Sequence, residues 1–166
     1  MELYIVRHAI AVPRGTEGYP HDDRPLTQEG IKKMQKAAKG LRRIVPDLDV
    51  ILTSPMRRAE ETAHIIAQEL NLEENLVVSE NLRPGAPRER ILDELSIYRE
   101  APAVMLVGHE PDLSQLSSHL LGFPGTEVEL KKGAVLRIDL EGLPPHSVGR
   151  LVFLLQPKHL RAIATS

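Results

Sequence analysis

Two dipeptides carry the side chains best placed to do chemistry. Arg7-His8 directly follows the apolar run Leu3-Tyr4-Ile5-Val6, and Gly108-His109 directly follows the apolar run Ala103 to Val107. One histidine at the end of an apolar strand is ordinarily a hydrogen-bonded histidine and nothing more. Two at matching positions, with arginines at the same edge, define a site. Arg57 and Arg58 supply further cations, opening an amphipathic segment just after a third apolar run, Val50-Ile51-Leu52. Cations in a first helical turn oppose the helix dipole by about 0.3–1 kcal/mol each, a cost that a nearby anion removes. Free N–H groups at a helix N-terminus, combined with guanidinium forks, suit a phosphate. Of the two arginines, Arg57 reads as a solvated surface residue. His21, His64, His119, His146 and His159 lack the strand-end placement and read as structural or surface residues. His109-Glu110 does not open a zinc-binding H-E-x-x-H, because residue 113 is Leu, and neither a Walker loop nor a dinucleotide glycine pattern occurs.

The elements that must position these residues follow from hydrophobic period. Leu3–Val6 is a strand. Ile31, Met34, Ala38, Leu41 and Val45 then share one helical stripe that Pro46 ends. Thr27 is placed to cap that helix. After the strand Val50–Leu52, Ser54 and Pro55 read as N-cap and first residue of a helix striped by Met56, Ala59, Ala63, Ile66 and Leu70. Leu76–Val78 is a third strand, and Pro87 to Arg99 a third helix carrying Ile91, Leu95 and Tyr98. Ala103–Val107 is the most hydrophobic strand and reads as central; a short helix with Leu113, Leu116 and Leu120 follows from near Pro111. Ala134–Leu140 and Arg150–Leu155 read as two antiparallel strands around the turn-rich Gly142-Leu143-Pro144-Pro145. Alternation of strand and helix through residue 121 implies βαβ crossovers. The expected fold is a three-layer α/β/α sandwich, its sheet mostly parallel with a C-terminal antiparallel pair. Ligands of such sheets bind beyond the carboxyl ends of the strands, where both histidines fall.

Composition narrows the function. The chain has 166 residues, 42% hydrophobic and 27% charged, which fits one soluble domain spanning 1–166. Twenty-one Lys and Arg against 23 Asp and Glu leave a net charge of -2. That balance argues against nucleic acid as a partner, as does the 3% aromatic content. The absence of cysteine removes thiol nucleophiles and cysteine zinc sites, and is compatible with a reducing cytoplasm. No apolar stretch is long enough for a membrane span, and Met1–Val6 is not a signal peptide.

The same residues resemble the histidine phosphatase superfamily. Arg7-His8-Ala9 is similar to its R-H-G signature, with Ala in place of Gly. The likeness continues through Arg24-Pro25-Leu26-Thr27-Gln28-Glu29-Gly30, Ser54-Pro55-Met56-Arg57-Arg58-Ala59-Glu60-Glu61-Thr62, Val107-Gly108-His109-Glu110-Pro111 and the Gln156-Pro157-Lys158-His159-Leu160 tail. Length, R-H-A and R-P-L-T-x-x-G resemble the small phosphohistidine phosphatases of the SixA type more than the phosphoglycerate mutases. The resemblance implies that His8 is a nucleophile transiently phosphorylated, and that Arg7, Arg58 and His109 hold the phosphoryl group. It implies no cofactor and no metal, since the arginines and His109 supply the positive field. The implied substrate is a histidine-phosphorylated protein in signal transduction, and phosphate-like anions should occupy the same pocket. Superfamily members often place an acid just after the third strand, a position Glu80 occupies here as candidate proton donor; Asp22 and Asp23 are weaker candidates. Two alternatives stay open at this point. One is a broad-specificity or small-molecule phosphomonoesterase on the same scaffold. The other is a phosphate- or phosphohistidine-binding module without turnover.

Overall fold

The computed structural model describes residues 1–45, 47–125, 128–143 and 148–166. The helix stop expected at Pro46, the turn residues Pro144-Pro145, and His146 lie outside them. The chain runs β1 (Glu2–Arg7), α1 (Gln28–Arg42), β2 (Val50–Thr53), α2 (Arg57–Leu70), β3 (Leu76–Val78), α3 (Arg88–Leu95), β4 (Ala103–Gly108), α4 (Asp112–Leu120), β5 (Val135–Asp139), β6 (Arg150–Leu155) and α5 (Pro157–Ile163). The strands form one sheet in the order β3-β2-β4-β1-β5-β6. β3, β2, β4 and β1 are mutually parallel, whereas β5 is antiparallel to both β1 and β6.

Covering both faces of the sheet requires central strands that are apolar on both sides. β1 and β4 meet that requirement by sending alternate residues into two cores. Tyr4, Val6, Met105 and Val107 face Met34, Leu41, Ala63, Ile66 and Leu160 of α1, α2 and α5. Leu3, Ile5, Val104 and Leu106 face Ile91, Leu95, Leu113, Leu116 and Leu120 of α3 and α4. The result is the expected three-layer α/β/α arrangement, with β4 interior to the sheet.

Local differences from expectation have identifiable causes. α2 starts at Arg57 with Met56 as its N-cap and no side-chain cap on that residue, not at Ser54-Pro55. Its first N–H is capped from outside, by Asp23 Oδ1 at 3.2 Å from the Arg57 amide. The third helix stops at Leu95 and tightens into a single 3-10 turn over Ser96–Tyr98. The C-terminal helix α5 had no expected counterpart; its single deeply buried residue, Leu160, is too little apolar stripe to announce a helix. Gly40 of α1 accounts for how close α5 comes, because a Cβ there would lie 1.9 Å from the Leu160 carbonyl oxygen. Thr27 caps α1 as expected, its hydroxyl accepting from the Gly30 amide at 2.9 Å.

Candidate active site

The parallel strands β1, β4 and β2 end at one edge, and their register fixes what emerges there. Arg7 is paired with Gly108 and Thr53 with Val107. The next residues, His8, His109 and Ser54, therefore leave the sheet side by side. The pairing runs one step further, since the His8 amide donates to Gly108 O at 3.0 Å and the Ser54 amide to Val107 O at 2.9 Å. The two imidazoles are buried with ring centroids 5.2 Å apart.

The hydrogen bonds of His8 define its chemical state. Nδ1 lies 2.7 Å from the Ala9 carbonyl, which can only accept, so Nδ1 carries the proton. Nε2 then presents its lone pair, which receives Arg58 Nε–H at 3.3 Å. This is the tautomer a nitrogen nucleophile needs. Burial is the chief reason the His8 pKa falls to about 3; the charges of Arg58, Arg7 and Lys132 add to it, and the Ala9 hydrogen bond opposes. The turn itself is pinned by Thr62, whose Oγ1 accepts from the Ala9 amide at 3.0 Å and donates to Arg58 O at 2.7 Å.

His109 is held at its other nitrogen. Nε2 is 2.8 Å from Ser54 Oγ, and that oxygen also accepts the Met56 amide at 3.3 Å. Ser54, expected as a helix cap, is thus an orienting group for His109. Nδ1 of His109 is buried without a partner among the described residues. With the Ser54 proton turned to Nε2, this Nδ1 is an N–H donor left for a ligand oxygen. Burial first, then the Arg58 charge and His8, lower the His109 pKa to about 3 as well.

Arg57 and Arg58 separate as their one-residue offset on the helix requires. Arg58 is 2% exposed, whereas Arg57 is exposed and paired with Glu61 at 2.8 Å. Beyond its bond to His8, Arg58 donates to Asp22 O at 2.8 Å and ion-pairs with Asp22 Oδ2 at 3.2 Å. Asp22 also contacts Arg24 at 2.6 Å and Arg14 at 3.4 Å. Burial alone would raise its pKa; the Arg24 hydrogen bond and the charges of Arg58, Arg24 and Arg14 bring it below the ordinary value. An ionised carboxylate shared by three guanidiniums keeps Arg58 in place. Asp22 is therefore an arginine counter-ion, and Asp23 caps α2.

These groups line a cavity of about 370 Å³, to which Arg7, His8, Arg24, Arg58, His109 and Glu110 all contribute. The structure thus brings together His8, Arg7, Arg58 and His109. Glu80 is not among the cavity-lining residues. It lies exposed just after β3, ion-paired with Arg83. Glu110 takes the place facing the cavity, and its signal in the sequence was only its position after His109. Its Oε1 is buried and unpartnered among the described residues, and its Oε2 contacts Ser114 Oγ. Ser114 Oγ also lies 2.7 Å from Val128 O, a pure acceptor. A hydroxyl has one proton, so both contacts are satisfied when Glu110 carries a proton of its own. Burial pushes the Glu110 carboxyl above its ordinary pKa, against the pull of the Ser114 hydrogen bond and the Arg7 charge. His21, His64, His119 and His159 are exposed. Among the described residues no group of three His, Cys, Asp or Glu is placed to hold a metal ion, and no helix is long and apolar enough to cross a membrane.

A cavity at the strand ends, with a neutral histidine facing buried guanidinium, is the arrangement of a phosphoryl-transfer hydrolase on an α/β/α sandwich. Comparison with known proteins agrees. Residues 3–84 match the model of the histidine phosphatase superfamily (branch 1). An uncharacterized protein of Picosynechococcus sp. is 35% identical over 96% of this chain and 99% of its own length. A phosphohistidine phosphatase SixA homolog of Haemophilus influenzae is 29% identical over 74% of this chain and 78% of its own. Among solved structures, the protein histidine phosphatase SixA complexed with tungstate superposes with a TM-score of 0.82 at 25% identity, covering 96% of this chain and 99% of that one. The alpha-ribazole phosphatase from Shigella flexneri shares the fold, with a TM-score of 0.73 at 19% identity over 95% and 97% of the two chains. The chain belongs to the histidine phosphatase superfamily and is SixA-like in length and fold.

Proposed function

We propose that this phosphatase is a metal-independent phosphohistidine phosphatase, acting on a histidine-phosphorylated protein through a phosphohistidine formed on its own His8. The observation that carries the reading is the fixed tautomer of His8, with Nδ1–H on Ala9 O and an unprotonated Nε2 whose lone pair meets Arg58, both residues lining the cavity. In the first step Nε2 attacks phosphorus, a P–N bond forms, and the bond to the leaving atom breaks. Arg7, Arg58 and His109 Nδ1–H meet the charge on the equatorial oxygens, preorganised and partly withdrawn from water. In the second step water attacks the phosphoryl group on His8, releasing inorganic phosphate and returning Nε2 to its neutral state. Residues 1–166 act as one unit in this reading, since Arg7 of β1, Arg58 of α2, His109 after β4 and Lys132 before β5 all line a single cavity. A cytoplasmic setting belongs to the same proposal, as the cysteine-free composition needs no oxidising compartment.

A protein-borne substrate is favoured by the short path between β3 and α3. Residues 79–87 make only one 3-10 turn, a bend and a turn, and of them Pro84 alone lines the cavity. Imidazole also leaves as a neutral molecule when its ring is already protonated, so it asks little of a general acid. A second reading, a phosphomonoesterase, has one observation in its favour. Glu110 places at the cavity wall a carboxyl whose pKa burial raises, which suits an alkoxide leaving group better than the ion-paired Glu80 does.

The test is a side-by-side comparison of a phosphohistidine protein, a phosphohistidine peptide and alkyl phosphate esters. Acid-free trapping of labelled phosphate on the enzyme accompanies each substrate. The proposal expects the phosphohistidine protein to give the highest kcat/KM, and label on wild type but not on His8→Ala. Faster turnover of esters would transfer the assignment to the second reading. Binding without label or turnover would make the chain a binding module.

A further inference from the structure

Beside the phosphoryl cavity lies a second depression of about 380 Å³, between α1, the 131–133 turn and α5. Its cationic lining is Arg7, Lys33, Lys131, Lys132 and Arg161, and no Asp or Glu lines it among the described residues. The floor is apolar, formed by Ala9, Met34 and Pro157 with their neighbours. Arg7 and Lys132 line both this groove and the phosphoryl cavity, so the two adjoin.

The clustering is not what the composition dictates. Acidic residues outnumber basic ones, 23 to 21, and most arginines around the site have carboxylate partners. Among the described residues Arg7, Lys131, Lys132 and Arg161 have none. Lys33 is shared with the exposed Glu29 one helical turn away, a pairing worth little in water. The groove is also mechanically tied to the catalytic strand. Gly133, at a φ of 84°, donates its amide to Arg7 O at 3.0 Å and His8 O at 3.1 Å, which fixes the turn carrying Lys131 and Lys132. Gln156, just before α5, accepts the Lys131 amide at 3.1 Å. Partial burial, and then the neighbouring Arg7 and Arg24, lower the Lys132 ammonium pKa, so an anion entering here relieves a standing repulsion.

We propose that this groove docks an acidic segment of the substrate protein, adjacent to its phosphorylated histidine, with carboxylates on the cationic rim and small apolar side chains on the floor. The proposal rests on the phosphohistidine-protein reading and adds to it a sequence preference. A recessed groove with an apolar floor suits an extended peptide. It offers no aromatic platform for bases and no projecting apolar edge for a membrane surface.

Two measurements decide it. The first compares kcat/KM on phosphohistidine peptides with acidic, neutral and basic flanks. Wild type is expected to favour the acidic flank by about tenfold or more at low ionic strength, and to lose that preference as salt rises. In the combined variant Lys33→Gln, Lys131→Gln, Arg161→Gln the preference should fall to about twofold, while turnover of p-nitrophenyl phosphate stays near wild type and shows the fold intact. The second is fluorescence anisotropy of an unphosphorylated acidic peptide, which reads the groove even if no phosphohistidine substrate is cleaved. Binding should be present in wild type, weakened about tenfold in the triple variant, and not displaced by an equal concentration of citrate. Equal rates for the three flanks overturn the docking proposal alone. No cleavage of any phosphohistidine peptide, with peptide binding intact, overturns the substrate reading and leaves the groove assigned. Displacement by citrate would give the groove to small polyanions instead.

Discussion

Two neutral histidines buried together, 6% and 3% exposed, should make the fold acid-sensitive by a calculable amount. Both His8 and His109 have pKa values lowered from 6.5 to about 3, chiefly by burial. The unfolded chain therefore binds protons near pH 6.5 that the folded chain refuses, and stability falls as pH drops below 6.5, ending only near the folded pKa. At pH 5 the loss depends only on the folded pKa lying well below 5. It amounts to about 2 kcal/mol for each histidine, or roughly 4 kcal/mol for the pair, out of a typical domain stability of about 5–15 kcal/mol. Urea unfolding at pH 7.5 and pH 5.0 measures it, with carboxylate contributions removed by comparing proteins. His8→Gln and His109→Gln should each have a pH dependence shallower than wild type by about 2 kcal/mol, whatever their stability at pH 7.5. Tungstate should restore much of the loss in wild type, because an anion among Arg7, Arg58 and the histidines favours their protonated forms. A wild type as pH-insensitive over this interval as the variants would show that the histidines titrate normally. The neutral-nucleophile argument for His8 would then fail with it.

Three further outcomes follow from the site. Arg58→Lys should weaken competitive inhibition by vanadate or tungstate about tenfold or more, since an ammonium cannot serve His8, Asp22 and an oxyanion together, whereas Arg57→Lys should change it less than twofold; the reverse order would refute the assignment of Arg58. Glu110→Gln should slow single-turnover phosphorylation of the enzyme by alkyl esters on the order of 10²-fold, with a smaller effect on phosphohistidine, while Glu80→Gln should leave both within about threefold; a large loss in Glu80→Gln confined to esters would return the donor role to Glu80. Ser54→Ala should lower kcat more than it raises KM by freeing the His109 ring, and an unchanged kcat would dissociate that hydrogen bond from catalysis.

The sequence by itself determined the layered architecture and the edge at which the chemistry sits. Strands apolar on both faces, such as Leu3–Val6 and Ala103–Val107, can be stable only between two helical layers, and strand-to-helix alternation forces parallel crossovers. His8 and His109 were legible because each stands one residue past a strand, and parallel strands end together. Local pattern also placed Thr27 as a cap. What it could not determine were contacts made by groups with no local partner. Ser54 has the right type and position for a helix cap, yet its hydroxyl orients His109, 55 residues away, and α2 is capped by Asp23 from a loop that is 34 residues distant. Asp22 acquires its role only by meeting Arg14, Arg24 and Arg58 in space. Glu80 and Glu110 are alike in sequence as acids beside strand ends. One lies exposed against Arg83 and the other is turned to the cavity wall and desolvated, a difference in burial that only the packing of α4 and the 128–130 segment decides.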